Sequence, residues 1–415
     1  MKSRILYVLS CWPHDRAYGG QLRALHVARA LAKVGPVTLA IVGAESVDAA
    51  SKSRTAAEFP IAGEWGIEPT GIRGTHALWK TLTDPGFVNV HGLALSPSSE
   101  KEIQAIAREH FDLVWFFKLR TANYFRQACW PGSVVDVDDV PSSATGSHGK
   151  LAGGWAARTR GWILTQAMRL QEKRLPSRFD VLAVCSEADR TLLGGDPVIR
   201  VIPNGFERPT SPPERKLSTP PRIGFIGLLD YEPNRDGVRW FLENCWPALR
   251  ETVPGLVFRL AGKSAGELMK TPVPGVEVLG WVEDAAAEIA TWSLMVIPIR
   301  SGAGTRIKIA DTFSRQCPAV STCLGAYGYE VEDRVQLRLA DTPEAFTRAC
   351  LEVLQDPDGA RAMAERAWQE FLEKWTWEAI EPKVWEAARA GLPATPPAAR
   401  SIDDAPLAAD PGQSK

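Results

Sequence analysis

Short apolar runs alternate with longer amphipathic stretches along most of the chain. The runs in the first half are RILYVLS, VTLAIVG, FDLVWFF, GSVVDVDD, DVLAVCS and IRVIPN, and those in the second are RIGFIGLL, LVFRLAG, VEVLGWV, LMVIPI, PAVST and VQLRLA. Between them, stretches such as GGQLRALHVARALAKVG and PEAFTRACLEVLQ repeat apolar residues at helical spacing. This alternation predicts an α/β protein in which helices flank parallel sheets.

A proline-rich segment interrupts the pattern. Residues 207–221, ERPTSPPERKLSTPP, hold five prolines and few apolar residues, which predicts a linker. It would join an N-terminal Rossmann-like domain at 1–206 to a C-terminal one at 222–372. A helix over 373–392 is expected to return to the first domain, and 393–415 has too little apolar mass to fold, which predicts a disordered tail. Two such domains would face a cleft at the carboxyl ends of their strands.

Composition narrows the class of function. The 415 residues are 45% hydrophobic and 23% charged, with a formal net charge of −1 and a pI of about 6.6. These values are typical of a soluble globular protein and not of a nucleic-acid binder, which usually has a basic domain. The seven cysteines form no CxxC pair, so we expect reduced thiols in a cytoplasmic protein. No apolar run approaches the roughly 18 residues of a membrane helix, and the apolar start is too short for a signal peptide.

The stretch SGAGTRIKIAD follows one apolar run and combines several kinds of chemistry. Its candidate groups are two glycines, a helix-capping residue, two cations and an acid: Gly302, Gly304, Thr305, Arg306, Lys308 and Asp311. The glycines would let the backbone approach a ligand, and a helix capped at Thr305 would aim free N–H groups at an anion. Cations suit a diphosphate, and a carboxylate suits sugar hydroxyls. The alternative to this sugar-nucleotide site is an ordinary helix start with an exposed Lys308–Asp311 pair.

The longer segment PIRSGAGTRIKIADTFSRQCPAVST resembles the donor-site motif of the family 4 glycosyltransferases. The pieces YGGQLRALHVARAL, SEADR, VIPNGFE, GFIGLLDYEPNRDGV and VEVLGWVED appear in the order expected of that family, over about residues 4 to 380. The resemblance implies the two-domain GT-B fold, a nucleotide-sugar donor, and transfer with retention to a glycan, lipid-linked or other hydroxyl acceptor. It also implies a bacterial role in cell-surface polysaccharide or glycoconjugate synthesis, with no essential metal or other cofactor.

The resemblance assigns residues to the donor site. They are Gly19, Gly20, Gly227, Asn234, Gly302, Ala303, Gly304, Thr305, Arg306, Lys308 and Asp311. Arg306 and Lys308 match cations near the diphosphate and would be catalytic, because they would stabilise the leaving group. Asp311 matches the acid expected on the ribose hydroxyls, and Asn234 lies where many members place a lysine.

The chain also departs from the family pattern. Ala303 stands where the family's first acid is common, and Leu228 replaces a frequent arginine. With these departures, Arg306 and Lys308 would have to neutralise a larger share of the negative charge of the diphosphate. Two alternatives to a transferase therefore stay open, a degenerate member that binds nucleotide or glycan without transfer and a sugar-nucleotide epimerase.

The stretch VVDVDDVPS ends a predicted strand with Asp136, Asp138 and Asp139. An Asp-x-Asp metal site is one interpretation, and a capped structural loop is another. The resemblance instead implies an acceptor-side catalytic position, because family members often carry a His–Asp-like pair here, in which Asp138 would replace the His and Asp139 would match the Asp. A carboxylate at this position could act as a base if burial raises its pKa.

Residues 150–175, KLAGGWAARTRGWILTQAMRLQEKRL, carry six cations against one acid, Glu172, with Trp155 and Trp162 interleaved. This stretch could make peripheral contact with an anionic membrane, on its inner face, where a lipid-linked acceptor would lie. More often, such a run is a solvated helix that packs its apolar side on the sheet. Trp281, at a predicted strand end, is expected in the core, with stacking on a nucleotide base as the alternative.

Overall fold

A computed structural model gives the structure of the chain. It describes residues 2–14, 19–43, 48–67, 69–70, 94–95, 97–125, 128–143, 154–211, 213–269 and 271–393. The chain divides into two compact units. The first combines the described residues up to Ile202 with those from Glu381 onward, and the second runs from Pro203 to Ile380. The segment predicted as a linker lies within the second unit, and the predicted tail, apart from Pro393, lies outside the described residues.

The first unit contains a parallel sheet with flanking helices. Its sheet strands are β1 (Ile5–Leu9), β2 (Val37–Val42), β3 (Ile61–Ile67), β6 (Leu113–Phe117), β7 (Ser133–Asp138), β8 (Val181–Val184) and β9 (Ile199–Val201), and a separate antiparallel pair is β4 (Pro69–Thr70) and β5 (Ala94–Leu95). Its helices are α1 (Gly19–Val34), α2 (Ala49–Glu58), α3 (Pro97–Arg108), α4 (Leu119–Tyr124), α5 (Trp155–Glu172), α6 (Glu187–Leu192) and α14 (Trp377–Gly391), the last of which begins in the second unit. The sheet order is β3-β2-β1-β6-β7-β8-β9. All residues of β1 and β6 are buried, as expected for parallel strands covered on both faces.

The second unit repeats this architecture. Its strands are β10 (Arg222–Ile226), β11 (Val257–Ala261), β12 (Val276–Gly280), β13 (Leu294–Ile297), β14 (Ala319–Ser321) and β15 (Arg338–Leu339). Its helices are α7 (Glu232–Asn244), α8 (Trp246–Thr252), α9 (Ala265–Leu268), α10 (Ala285–Ala290), α11 (Ile307–Ser314), α12 (Pro343–Gln355) and α13 (Pro357–Lys374). The sheet order is β12-β11-β10-β13-β14-β15, with parallel pairing throughout.

An aromatic core fixes the second unit. Trp292 is fully buried against β10, where a Cβ on Gly224 would lie 2.6 Å from its indole ring. The indole N–H donates to Glu288 Oε1 at 2.8 Å, so the buried polar atom is satisfied. Glycine within this strand therefore marks the close approach of a large side chain.

Strand order reverses once in each sheet, between β1 and β6 in the first and between β10 and β13 in the second. Ligands of open parallel sheets bind outside the carboxyl ends of the strands at such a switch point. The segments between β10 and β11 and between β13 and β14 carry the predicted donor-site residues of the second unit, in loops and on α7 and α11, and α1 follows β1. The α/β fold of two Rossmann-like units is therefore as predicted, and each unit presents candidate chemistry at its own switch point.

Within the part of the chain that the structure describes, no helix is both long enough and apolar enough to cross a membrane.

Candidate functional site

The loop after β13 is shaped by two glycines. Gly302 and Gly304 have φ angles of 103° and 78°, a region that side-chain-bearing residues rarely adopt. A Cβ on Gly302 would lie 2.7 Å from Nη2 of Arg306. The Arg306 guanidinium donates to the carbonyl of Ala303 at 2.7 Å and to that of Ser301 at 3.3 Å. The Arg306 side chain thus stabilises the loop by donating hydrogen bonds to two of the loop's own carbonyl groups.

The helix after this loop begins later than the sequence predicted. Helix α11 starts at Ile307, with Arg306 in the N-cap position and no side-chain cap there. The predicted capping role of Thr305 is wrong, because its hydroxyl accepts a hydrogen bond from Asn204 Nδ2 at 2.7 Å. The first N–H groups of a helix lack intrahelical partners, and with no N-cap side chain they are suited to an anion.

Lys308 is directed from the first turn of α11 toward the loop after β10. A Cβ on Gly227 would lie 2.6 Å from Lys308 Nζ and 3.2 Å from Asn234 Nδ2. The Asn234 amide donates to the carbonyl of Leu228 at 2.7 Å, and Lys308 Nζ lies 5.1 Å from the centroid of the Phe225 ring. The structure therefore brings Gly227, Asn234 and Lys308 together at the second switch point, and a Cβ at position 227 would require the ammonium to move.

The ammonium of Lys308 is in an unfavourable environment. Burial and, to a lesser extent, the nearby Arg306 charge lower its pKa from 10.5 to about 8, while Asp311 acts in the opposite direction. A cation held in this way gains most from a ligand that supplies negative charge. Its side chain remains partly accessible, so a ligand can reach it.

Asp311 lies one turn further along α11. Its carboxylate pairs with Arg315 Nε at 3.2 Å, and burial raises its pKa. The exposed Lys308–Asp311 pair that was the alternative to a ligand site is not what the structure has. Asp311 keeps acceptor capacity for a hydroxyl group, since a carboxylate offers two oxygens.

The first unit carries a second cluster, at the ends of β6 and β7. Lys118 Nζ lies 3.3 Å from Asp138 Oδ2, and a Cβ on Gly20 at the start of α1 would lie 3.5 Å from the same ammonium. Lys118 and Asp138 have φ angles of 71° and 57°. Positive φ angles are uncommon for non-glycine residues, and here two residues in side-chain contact both have them. Backbone strain of this kind concentrates at functional sites.

Sequence reasoning missed Lys118. It stands directly after the apolar run FDLVWFF, and a charged residue at the carboxyl end of a buried strand was the available signal. Its pairing partner lies twenty positions further along the chain, so the pair depends on the alignment of β6 with β7.

The protonation state of Asp138 differs from the sequence expectation. Burial would raise its pKa, but Lys118 and Arg23 outweigh that effect and hold the pKa below its usual range. The Cys185 thiol also donates to Asp138 Oδ1 at 3.5 Å. The expectation that burial raises the pKa of Asp138, as would suit a general base, is therefore wrong. Asp138 is a fixed negative charge with an acceptor function, while Asp139 is exposed.

Asp136 has a structural partner. The guanidinium of Arg23 donates two hydrogen bonds to it, both of 2.9 Å, and a third to the carbonyl of Ile202 at 2.9 Å. Both side chains of the pair are fully buried. Since Asp136 and Asp138 each face a cation, an Asp-x-Asp metal site does not fit. Among the described residues there is no group of three or more metal-ligating side chains.

Trp281, expected in the core, is instead 68% exposed just beyond the carboxyl end of β12. The core interpretation is wrong.

The chain resembles known glycosyltransferases in part of its sequence and in its fold. Residues 220–356 match the family model described as "Glycosyl transferases group 1". HepE of Anabaena, solved with UDP, is 15% identical with a TM-score of 0.59, over 93% of this chain and 100% of its own. Sucrose-phosphate synthase of Thermosynechococcus elongatus is 15% identical with a TM-score of 0.62, over 93% and 98%. The chain has the GT-B fold.

A TarM variant of S. aureus, solved with Fondaparinux, alpha-GlcNAc-glycerol and UDP, has the same GT-B fold at 9% identity, with a TM-score of 0.63 over 93% of this chain and 99% of its own. No curated protein matches the chain. The resemblance to glycosyltransferases predicted from the sequence is confirmed, and the matched family segment contains the Gly227, Asn234, Arg306 and Lys308 cluster.

Proposed function

We propose that the chain is a retaining glycosyltransferase that uses a nucleotide-sugar donor. The observation that carries the proposal is the placement of Lys308 beside Gly227 and Asn234, next to the glycine loop closed by Arg306. A diphosphate supplies the negative charge that this buried ammonium lacks. HepE and TarM structures were solved with UDP, so uridine diphosphate sugars are the first donors to test.

In the proposed reaction the bond between the anomeric carbon and the diphosphate oxygen breaks. The acceptor oxygen bonds to the same face of that carbon, and its proton passes to the departing diphosphate. Arg306, Lys308 and the first N–H groups of α11 stabilise the charge that develops on the leaving group, a contribution that is commonly the largest in catalysis. Asp311 accepts hydrogen bonds from the ribose hydroxyls.

The first unit supplies the acceptor side of the proposal. The ionised Asp138, held by Lys118 at 3.3 Å, accepts a hydrogen bond from a hydroxyl of the acceptor or of the transferred sugar. The backbone at Gly20, the second residue of α1, lies near the same ammonium. The acceptor is a glycan, a lipid-linked saccharide or another alcohol of cell-surface polysaccharide or glycoconjugate synthesis. The proposal includes no essential metal.

The test is release of nucleoside diphosphate from a panel of nucleotide sugars, without acceptor and then with candidate alcohols. Slow hydrolysis of one donor, with the released sugar in the donor's anomeric configuration, is expected. Arg306→Ala or Lys308→Met should lower kcat by about 10²–10³-fold, whereas Lys101→Met, an exposed lysine on α3, should not.

The alternatives give different outcomes in the same assay. Tight nucleotide binding without hydrolysis or transfer for any donor would indicate a binding protein. A change in sugar stereochemistry with the diphosphate still attached would indicate an epimerase. Either result would contradict the proposal.

A further inference from the structure

Helix α5 has two apolar sides. One packs into the first unit, where Leu164, Ala167 and Met168 are buried. The opposite side is in solvent, with Trp155 81% exposed and Trp162 64% exposed. The two sequence interpretations of this helix are therefore not exclusive, because it buries one apolar side and still presents tryptophans to solvent on the other.

The exposed apolar residues of α5 form a cluster. Trp155 and Trp162 are seven residues apart, which is two helical turns, so their side chains share a face. Nine large hydrophobic side chains are exposed in the described part of the chain, and four of them lie on α5: Trp155, Trp162, Ile163 and Leu170. Single exposed apolar residues need no explanation, but a concentration on one face marks an interaction surface.

The exposed charged residues of α5 are all cations. Arg158 and Arg169 lie beside the tryptophans at helical spacing, and Lys173 follows directly after the helix; all three are exposed. The one acid between residues 155 and 174 is Glu172. It is buried, and its carboxylate accepts a hydrogen bond from the backbone N–H of Ser142 at 2.7 Å. The outer face of α5 therefore presents cations and indole rings without a neutralising carboxylate.

We propose that the outer face of α5 binds the surface of an anionic lipid bilayer. Tryptophan favours the boundary between headgroups and acyl chains, and cations beside it meet lipid phosphates. A helix of this kind lies in the plane of the interface with its apolar side inserted. The inference is independent of the donor chemistry. Its consequence for acceptor choice, that the first unit works at a membrane where lipid-linked saccharides lie, rests on the proposed function.

The experiment is co-sedimentation of the full chain with phosphatidylcholine vesicles and with vesicles containing one quarter phosphatidylglycerol. Wild type should bind the anionic vesicles and not the zwitterionic ones, and binding should fall as salt rises from 0.05 to 0.5 M because surface charges are screened. Trp155→Ser/Trp162→Ser and, separately, Arg158→Glu/Arg169→Glu should each weaken binding at least about tenfold. Trp281→Ser removes an equally exposed indole from the second unit and should leave binding unchanged.

Three outcomes would overturn the proposal. In the first, wild type binds both vesicle types equally. In the second, the double tryptophan variant binds vesicles like wild type. In the third, the chain self-associates through α5 in the absence of vesicles, and the tryptophan substitutions abolish that self-association. Circular dichroism melts and nucleotide binding in vesicle-free buffer establish that each variant is folded. Donor hydrolysis without vesicles tests the proposed function separately, so either idea can fail alone.

Discussion

The pKa of Lys308 makes nucleotide binding dependent on pH in a defined window. Burial holds this pKa at about 8 in the free protein, so the ammonium is mostly protonated at pH 7 and mostly neutral at pH 9. A bound diphosphate favours the protonated form and raises the pKa. Binding above pH 8 therefore requires uptake of a proton, and the affinity for a nucleoside diphosphate should fall as pH rises.

The size of this effect follows from the pKa. If the diphosphate binds only the protonated form, the apparent Kd is multiplied by 1 + 10^(pH − pKa). With the pKa at about 8, the apparent Kd should rise about tenfold between pH 7 and pH 9, which corresponds to about 1.4 kcal/mol.

The assay is isothermal titration at half-unit intervals from pH 6.5 to pH 9.5, on wild type and on Lys308→Arg. Arginine keeps a cation at this position at every pH tested, so the variant should lose the slope. The ratio of the two affinities cancels any titration of the nucleotide itself. Parallel pH profiles for wild type and Lys308→Arg would refute the assignment of Lys308 to the diphosphate.

Three further substitutions test the physical basis of the two clusters. Lys308→Met should stabilise the free protein at pH 7 in thermal melts, and the advantage should vanish between pH 8 and pH 10.5, because the folded pKa of about 8 lies below the unfolded value of 10.5. Arg23→Met leaves the buried carboxylate of Asp136 without its cation and should lower the free energy of unfolding, measured in urea, by about 3–5 kcal/mol. The double substitution Arg23→Met/Asp136→Leu removes that carboxylate as well and should recover part of the lost stability. Gly227→Ala places a methyl group 2.6 Å from the ammonium and should weaken nucleotide binding about tenfold, or about 1.4 kcal/mol, within the usual cost of overpacking. Gly266→Ala meets open space and should not change it.

The strands were predictable because parallel strands are buried on both faces and appear as continuous apolar runs. LVWFF and ILYVL are such runs, and all their residues are buried. The order of strands in each sheet was not predictable from these runs, since it depends on pairing between distant segments. The Lys118–Asp138 contact is a consequence of that pairing, and the positive φ angles of both residues have no signature in their side chains.

The order of motifs predicted the residues of the proposed donor site, but it did not predict which groups these residues contact. Nothing in SGAGTRIKIAD indicates that Arg306 turns back onto the carbonyls of its own loop or that Asp311 pairs with Arg315. The exposure of the tryptophans on α5 could not be predicted from the sequence either. A helix with apolar residues on several sides can bury any of them, and only the tertiary packing decides that Leu164 is buried and Trp162 is exposed.

The central claim is that the cluster of Arg306 and Lys308 binds the diphosphate of a nucleotide sugar. The most direct measurement is calorimetric titration of wild type and of Arg306→Ala/Lys308→Ala with uridine, guanosine, adenosine, cytidine and thymidine diphosphates at pH 7. Micromolar binding of one nucleotide by wild type, lost in the folded double variant, is the predicted result. Binding of no nucleotide by well-folded wild type, or equal binding by the double variant, would contradict the account.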